Sequence, residues 1–118
     1  MVHGVRSRRE AVAWLRNNAV SVVLCEESLP DSDWKAILRE LSAIEDPPVL
    51  IVTSRLADDA LWAEVLNLGA YDLLVKPFDL TEVFRVVSQA WRHWVNDWER
   101  ARVRLSPTRI PSVGAAPA

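Results

Sequence analysis

The sequence predicts an α/β fold in which helices cover both faces of a parallel sheet. Three short apolar runs have the composition of buried strands: Val20–Cys25, Val49–Val52 and Tyr71–Val75. The segments between them carry apolar residues at spacings of three and four, which is typical of helices. Because helix and strand alternate along the chain, a parallel sheet is favoured over an antiparallel one.

Polar residues mark the ends of the predicted helices. Ser7 and Glu10 have the spacing of a capping box, and so do Asp79 and Glu82. Gly69 suits the left-handed conformation that ends many helices. The predicted helices cover roughly residues 8–16, 34–44, 58–68 and 79–102.

Length and composition limit the classes of protein to which the chain can belong. The chain has 118 residues, half of them hydrophobic and a quarter charged, which fits one globular domain. No apolar run is long enough for a membrane helix, so no membrane partner is expected. A single cysteine, Cys25, cannot form an internal disulfide, which favours a cytoplasmic location. Three glycines are too few for a glycine-rich phosphate loop.

Charge and composition change along the chain. Four arginines near each end surround an acidic middle, and prolines become frequent after Ser106. The sequence therefore predicts a globular domain over residues 1–98, followed by a helix extension and a flexible tail over residues 99–118.

The predicted strands end in residues that carry chemistry. Glu26–Glu27, Thr53–Ser54 and Lys76–Pro77 follow the three apolar runs. Carboxyl ends of parallel strands meet at one edge of a sheet, where function collects. An acid, a hydroxyl and an ammonium are therefore expected to converge there.

Three segments resemble the receiver domain of two-component response regulators: Val22–Pro30, Val49–Ser54 and Gly69–Phe78. The last is the most specific, since it carries the family's Lys-Pro signature. The resemblance implies a flavodoxin-like, doubly wound parallel sheet with strand order 2-1-3-4-5. It also implies a signalling function, in which a histidine kinase passes a phosphoryl group to an aspartate with the help of magnesium.

The resemblance assigns roles to individual residues. Thr53 takes the position of the switch hydroxyl, and Lys76 that of the lysine that binds phosphoryl oxygens. Pro77 takes the position of a proline that is often cis in the family. The acceptor aspartate lies four residues before the loop proline, and Glu26 stands at that position.

Glutamate at the acceptor position has chemical consequences. Its carboxylate lies about 1.5 Å further out than that of aspartate, and in-line attack tolerates little displacement. Glu26 also places a fixed anion that Lys76 can pair with. We therefore expect a receiver that works without phosphorylation. No cofactor is expected either, because the family's acidic pair has no match and Glu27 should point away from Glu26.

The family's aromatic switch position holds Leu73 in this chain. Tyr71 lies two residues earlier and, by strand alternation, is expected on the same face as Leu73. The sequence therefore gives no support to a relay from Thr53 to an aromatic side chain.

The family's first strand and first helix have no counterpart in the sequence. The family's second strand would fall at about Val2 to Val5. One interpretation is a receiver that is incomplete at its N-terminus. The other is a degenerate receiver that begins here, and that dimerises or pairs its strands differently to cover the exposed face.

The last predicted helix carries Trp91, Trp94 and Trp98 in one stripe. The stripe is typical of core packing, and the alternative is an interface with a protein partner or a second copy. Four arginines flank it: Arg92, Arg100, Arg102 and Arg104.

The sequence is compatible with three functions, none of them enzymatic. The first is a receiver that contacts a histidine kinase or a downstream effector without accepting phosphate. The second is a phosphorylated receiver in which Glu27 or Asp31 replaces Glu26 as acceptor. The third, less favoured, is a nucleic-acid-binding module that uses the arginine-flanked helix.

Overall fold

The computed structural model describes residues 2–56 and 58–105. Within these ranges the chain alternates between helices and strands, as the sequence predicts. The elements are α1 (Arg8–Leu15), β1 (Val22–Glu26), β2 (Ser28–Leu29), β3 (Ser32–Asp33), α2 (Trp34–Ser42), β4 (Val49–Ser54), α3 (Asp59–Leu68), β5 (Asp72–Val75) and α4 (Leu80–Leu105).

Three parallel strands form the main sheet, in the order β1-β4-β5. Glu26 lies opposite Thr53 in the register of β1 and β4, and Ser54 lies opposite Val75 in that of β4 and β5. The three carboxyl ends therefore share one edge, which confirms the predicted α/β class and the doubly wound arrangement of its helices.

Each face of the sheet has its own apolar cluster. Trp34, Leu41, Val52, Val65 and Leu73 belong to the cluster formed with α2 and α3. On the opposite face, α4 covers a smaller cluster, which consists of Ile51, Leu74, Val86 and Ala90. Alternate residues of β4 and β5 enter the two clusters, as expected for strands that are buried on both faces.

The helix ends follow the predicted capping chemistry. The Ser7 hydroxyl accepts a hydrogen bond from the amide of Glu10 at 3.1 Å. The Asp58 carboxylate caps α3 by accepting from the Leu61 amide at 2.8 Å. Gly69 ends α3 with φ at 107°, a left-handed conformation that suits glycine.

No strand forms at Val2 to Val5, where the resemblance placed the family's second strand. In the family's strand order the second strand pairs with the first, which has no counterpart in this sequence, and in the described ranges no strand lies beside β1 on its outer side. Instead, the His3 ring stacks on Trp14 of α1 with ring centroids 3.4 Å apart.

The loop after β1 contains a short hairpin that the sequence did not reveal. β2 and β3 pair antiparallel over two residues each. The turn of this hairpin reaches α1, because the Asp31 carboxylate accepts the amides of Arg8 and Arg9 at 3.0 and 3.2 Å. These hydrogen bonds, led by that from Arg8, lower the pKa of Asp31.

The last helix, α4, is 26 residues long and runs unbroken through residues 98 and 99. The predicted division of the chain at that point stays a prediction, and the predicted tail from residue 106 lies outside the described residues. In the ranges that the structure describes, no helix combines the length and apolar content that crossing a bilayer requires.

Candidate functional site

An ion pair joins the ends of the two outer strands of the main sheet. The Lys76 ammonium, just beyond β5, donates a hydrogen bond to Oε1 of Glu26 at the end of β1. This hydrogen bond and the charge of Lys76 lower the pKa of Glu26, and Arg55 adds a smaller effect. The anion at the position that the resemblance assigns to the acceptor is therefore neutralised from within the chain.

Thr53 occupies the middle of the same edge. Its side chain is buried, and the residue lies directly opposite Glu26 in the register of the sheet. Backbone hydrogen bonds lock the three strand ends together: the Glu27 amide donates to the Thr53 carbonyl, and the Lys76 amide donates to the Ser54 carbonyl, both at 2.9 Å. The structure thus brings Glu26, Thr53 and Lys76 to one edge.

The neighbouring carboxylate, Glu27, has a different partner. The Ser54 hydroxyl donates to Oε1 of Glu27 at 2.8 Å and accepts from the Leu56 amide at 3.0 Å. The carboxylates of Glu26 and Glu27 therefore bind different partners, Lys76 and Ser54. Sequence reasoning missed the Ser54–Glu27 contact, although the position of both residues at strand ends was a usable signal.

These residues surround one depression of about 270 Å³. Its lining combines acidic, hydroxyl and basic groups: Glu26, Glu27, Ser28, Thr53, Ser54, Arg55 and Lys76. Arg55 is a further member of the site that the sequence did not single out.

Magnesium, which the resemblance associates with this edge, does not fit the residues present. The Glu26 carboxylate already faces the Lys76 ammonium, and that of Glu27 accepts the Ser54 hydroxyl. In the described part of the chain, no three histidine, cysteine, aspartate or glutamate side chains are grouped to hold a metal ion.

The position that the resemblance assigns to the aromatic switch is filled by a buried aliphatic side chain. Leu73 packs in the cluster with α2 and α3. Tyr71 packs on the opposite side of the sheet, so the expectation that it shares a face with Leu73 is wrong. The reason is that β5 begins only at Asp72, and strand alternation does not extend to a residue before the strand.

A cis peptide bond and a buried thiol also lie at this edge. The Lys76–Pro77 peptide bond is cis, in agreement with the family pattern. The Cys25 thiol is buried beneath the end of β1, and burial, with smaller effects of Glu26 and Asp33, raises its pKa to about 11. Cys25 is therefore a protonated core residue at neutral pH.

Part of the tryptophan stripe on α4 contacts the rest of the protein, and part faces solvent. The Trp94 indole donates to the Asp46 carbonyl at 3.3 Å, and its ring stacks on Trp98 with centroids 6.1 Å apart. Trp91 is 52% exposed. Of the flanking arginines, Arg100 pairs with Asp97 at 3.2 Å, whereas the side chains of residues 102 and 104 lie outside the described part.

The parallel sheet, with an acid, a hydroxyl and a lysine at its carboxyl edge, defines the receiver class of signalling domains. The chain belongs to the response regulator receiver domain family, whose model matches residues 1–88.

Curated relatives extend this likeness across nearly the whole chain. The DNA-binding transcriptional regulator NtrC of Salmonella typhimurium is 28% identical over 110 residues, which cover 92% of this chain and 23% of the relative. The transcriptional regulatory protein ZraR of Escherichia coli O157:H7 is 32% identical over 114 residues, covering 95% of this chain and 25% of the relative. The chain thus spans about a quarter of the length of these relatives.

Solved structures show the same fold. The signal receiver domain of an HD domain-containing protein from Pseudomonas fluorescens superposes with a TM-score of 0.74 at 28% identity, covering 83% of this chain and 73% of that one. The receiver domain of a LuxO repressor protein from Vibrio parahaemolyticus gives a TM-score of 0.72 at 18% identity, covering 79% and 72%.

Proposed function

We propose that this chain is a receiver module that communicates through protein contacts and does not accept a phosphoryl group. The observation that carries the proposal is the hydrogen-bonded ion pair between Lys76 and Glu26. In a phosphorylated receiver the lysine binds phosphoryl oxygens, whereas here the carboxylate of the chain itself takes that place. The pair holds the edge in one state without a kinase.

The nearby acids offer no better acceptor. The Glu27 carboxylate is engaged by the Ser54 hydroxyl. Asp31 caps the first turn of α1, on the far side of the hairpin from the strand end. A displacement reaction needs a free carboxylate aligned with the phosphoryl donor, and the carboxylates of Glu27 and Asp31 both accept hydrogen bonds from other groups.

The partner of such a module is a protein. We propose a histidine kinase or a downstream effector as that partner, with a second copy of the chain as a further one. The relatives are transcriptional regulators about four times as long as the matched segment, and we propose that this chain belongs to a signalling pathway of the same kind.

Labelling tests the proposal directly. The chain is incubated with acetyl phosphate and magnesium, and its intact mass is measured beside that of an aspartate-bearing receiver as positive control. We expect no gain of a phosphoryl group on this chain and a clear gain on the control. A stable phosphoryl adduct on the chain contradicts the proposal, and mapping it to Glu27 or Asp31 establishes the alternative acceptor.

A further inference from the structure

The outer edge of β1 presents unpaired backbone groups. The Val49 amide donates to the Ser21 carbonyl and the Glu27 amide to the Thr53 carbonyl, so odd-numbered residues of this segment turn their backbone toward β4. The even-numbered residues 22, 24 and 26 therefore turn theirs away. No strand in the described ranges pairs with that edge, although the Glu26 carbonyl accepts from the Cys25 thiol.

An apolar side chain lies at the centre of this edge. Val23 packs in the cluster with α2 and α3, and Val22 packs in the cluster under α4. By alternation, Leu24 projects on the face that α4 covers, and it is nevertheless 45% exposed. An edge strand with unpaired amides and an exposed leucine is a template for pairing with another strand.

The flank of α4 nearest this edge is also apolar. The His93 ring contacts Tyr71, which precedes β5, so that flank of the helix faces β5. Helical periodicity of about 100° per residue places Phe84 and Trp91 on the other flank, toward β1. They are 76% and 52% exposed, and Leu80 extends the same stripe.

We propose that the β1 edge and this flank of α4 form one interface between two copies of the chain. β1 pairs antiparallel with β1 of the second copy about a two-fold axis through Leu24. Leu24 then exchanges two hydrogen bonds with its counterpart, and Val22 exchanges two with Glu26 of the second copy. All the backbone groups needed already point outward, and an interface of this kind is self-complementary.

The position of α4 fits the same axis. The helix lies against both β1 and β4. With strands about 4.8 Å apart, the two α4 helices come to lie about 10 Å apart, which is a normal packing distance. Leu80 lies near the carboxyl edge, and Trp94 contacts Asp46 near the amino edge. The middle of the helix is thus level with Leu24, and Phe84 of one copy meets Trp91 of the other.

The area and the charges are also compatible with a dimer. At their observed exposures Leu24, Leu80, Phe84 and Trp91 present on the order of 400 Å² of apolar side chain, about half of the ~800 Å² that each partner of a stable interface buries. The paired edge backbone and its neighbours add to this area. In the proposed register Glu26 lies opposite Val22 rather than another acid, and it keeps its bond to Lys76.

Crosslinking tests the register. In a Cys25→Ala background of the full chain, Leu24→Cys places two thiols at the axis, on residues whose Cα atoms are about 5.5 Å apart and within disulfide range. We expect rapid disulfide-linked dimers on mild oxidation. The matched control is Leu66→Cys, on α3 and 51% exposed, which should crosslink far more slowly. Equal rates for the two variants overturn the proposal.

Sedimentation of the full chain tests the edge itself. Leu24→Pro removes an amide that faces outward and leaves the hydrogen bonds to β4 intact, so the variant should fold. Circular dichroism verifies the fold, and we expect the variant to be a monomer. Leu24→Val keeps the amide and should dimerise within a few-fold of the unchanged chain. A chain that is a monomer at every concentration overturns the proposal. So does a dimer that survives Leu24→Pro, because helix contacts alone then hold it.

Discussion

The ion pair between Glu26 and Lys76 makes the stability of the fold depend on pH. The carboxylate is bound by the ammonium, which lowers the pKa of Glu26. A group whose pKa is lowered by folding adds stability at pH values above its ordinary pKa, and this stability is lost as the pH falls through the lowered value.

We therefore predict that Glu26→Gln removes part of the acid sensitivity of the fold. The effect is below about 1 kcal/mol, because the Glu26 side chain is 60% exposed and pairs with such access to solvent contribute little. Urea unfolding at neutral pH and at a pH below ~4 measures it in both proteins. The control is Glu45→Gln, which alters an exposed carboxylate distant from Lys76 and should leave the pH dependence unchanged. Equal loss of stability on acidification in Glu26→Gln and in the unchanged chain contradicts the prediction.

At the scale of the helices and strands, capping residues fix where a helix begins, and α3 is an example. Asp58 precedes α3 with an extended backbone, and its carboxylate accepts from the Leu61 amide. Asp59, one residue later, lies in the first turn of the helix and has no role as the cap.

We predict that Asp58→Ala lowers the free energy of unfolding by about 1 kcal/mol, since an amide at the helix start loses its acceptor. Asp59→Ala should cost only the smaller interaction of an acid with the helix dipole, a few tenths of a kcal/mol. Thermal and urea unfolding of the two variants measure the difference. Equal destabilisation would show that charge near the helix start matters here, and the cap itself does not.

The comparison of sequence with structure also belongs to the scale of the elements. The main strands, the four helices and the caps at Ser7 and Gly69 follow from local patterns, so the sequence predicted them. The convergence of Glu26, Thr53 and Lys76 follows from parallel topology alone. The β2–β3 hairpin was missed because two-residue strands leave no periodic pattern. Tyr71 was placed on the wrong face because its position depends on where β5 begins.

For the molecule as a whole, the two faces of the sheet are unequally covered. The cluster with α2 and α3 is the larger, and Trp34, at 2% exposure, is one of its largest fully buried side chains. The face under α4 has fewer buried residues and leaves Leu24 and Trp91 partly exposed.

We predict that Trp34→Ala costs about 3–5 kcal/mol, a loss comparable to the total stability of a small domain. Trp91→Ala, measured at a concentration where the chain is a monomer, should cost less than about 1 kcal/mol, because half of that side chain already faces solvent. Tryptophan fluorescence during urea unfolding gives both values. A larger cost for Trp91 than for Trp34 would place the main core on the other face of the sheet.

The contact of Asp31 with α1 has a consequence for local unfolding. α1 has eight residues and no fully buried side chain, and a helix that short is marginal in isolation. Its first two amides depend on a carboxylate 22 and 23 residues further along, in the loop that follows Glu26. When that loop moves, the first two amides of α1 lose their acceptor, and the helix opens at a lower free energy than it does with the loop in place. The lifetime of this helix therefore reports the position of a loop that begins at the site.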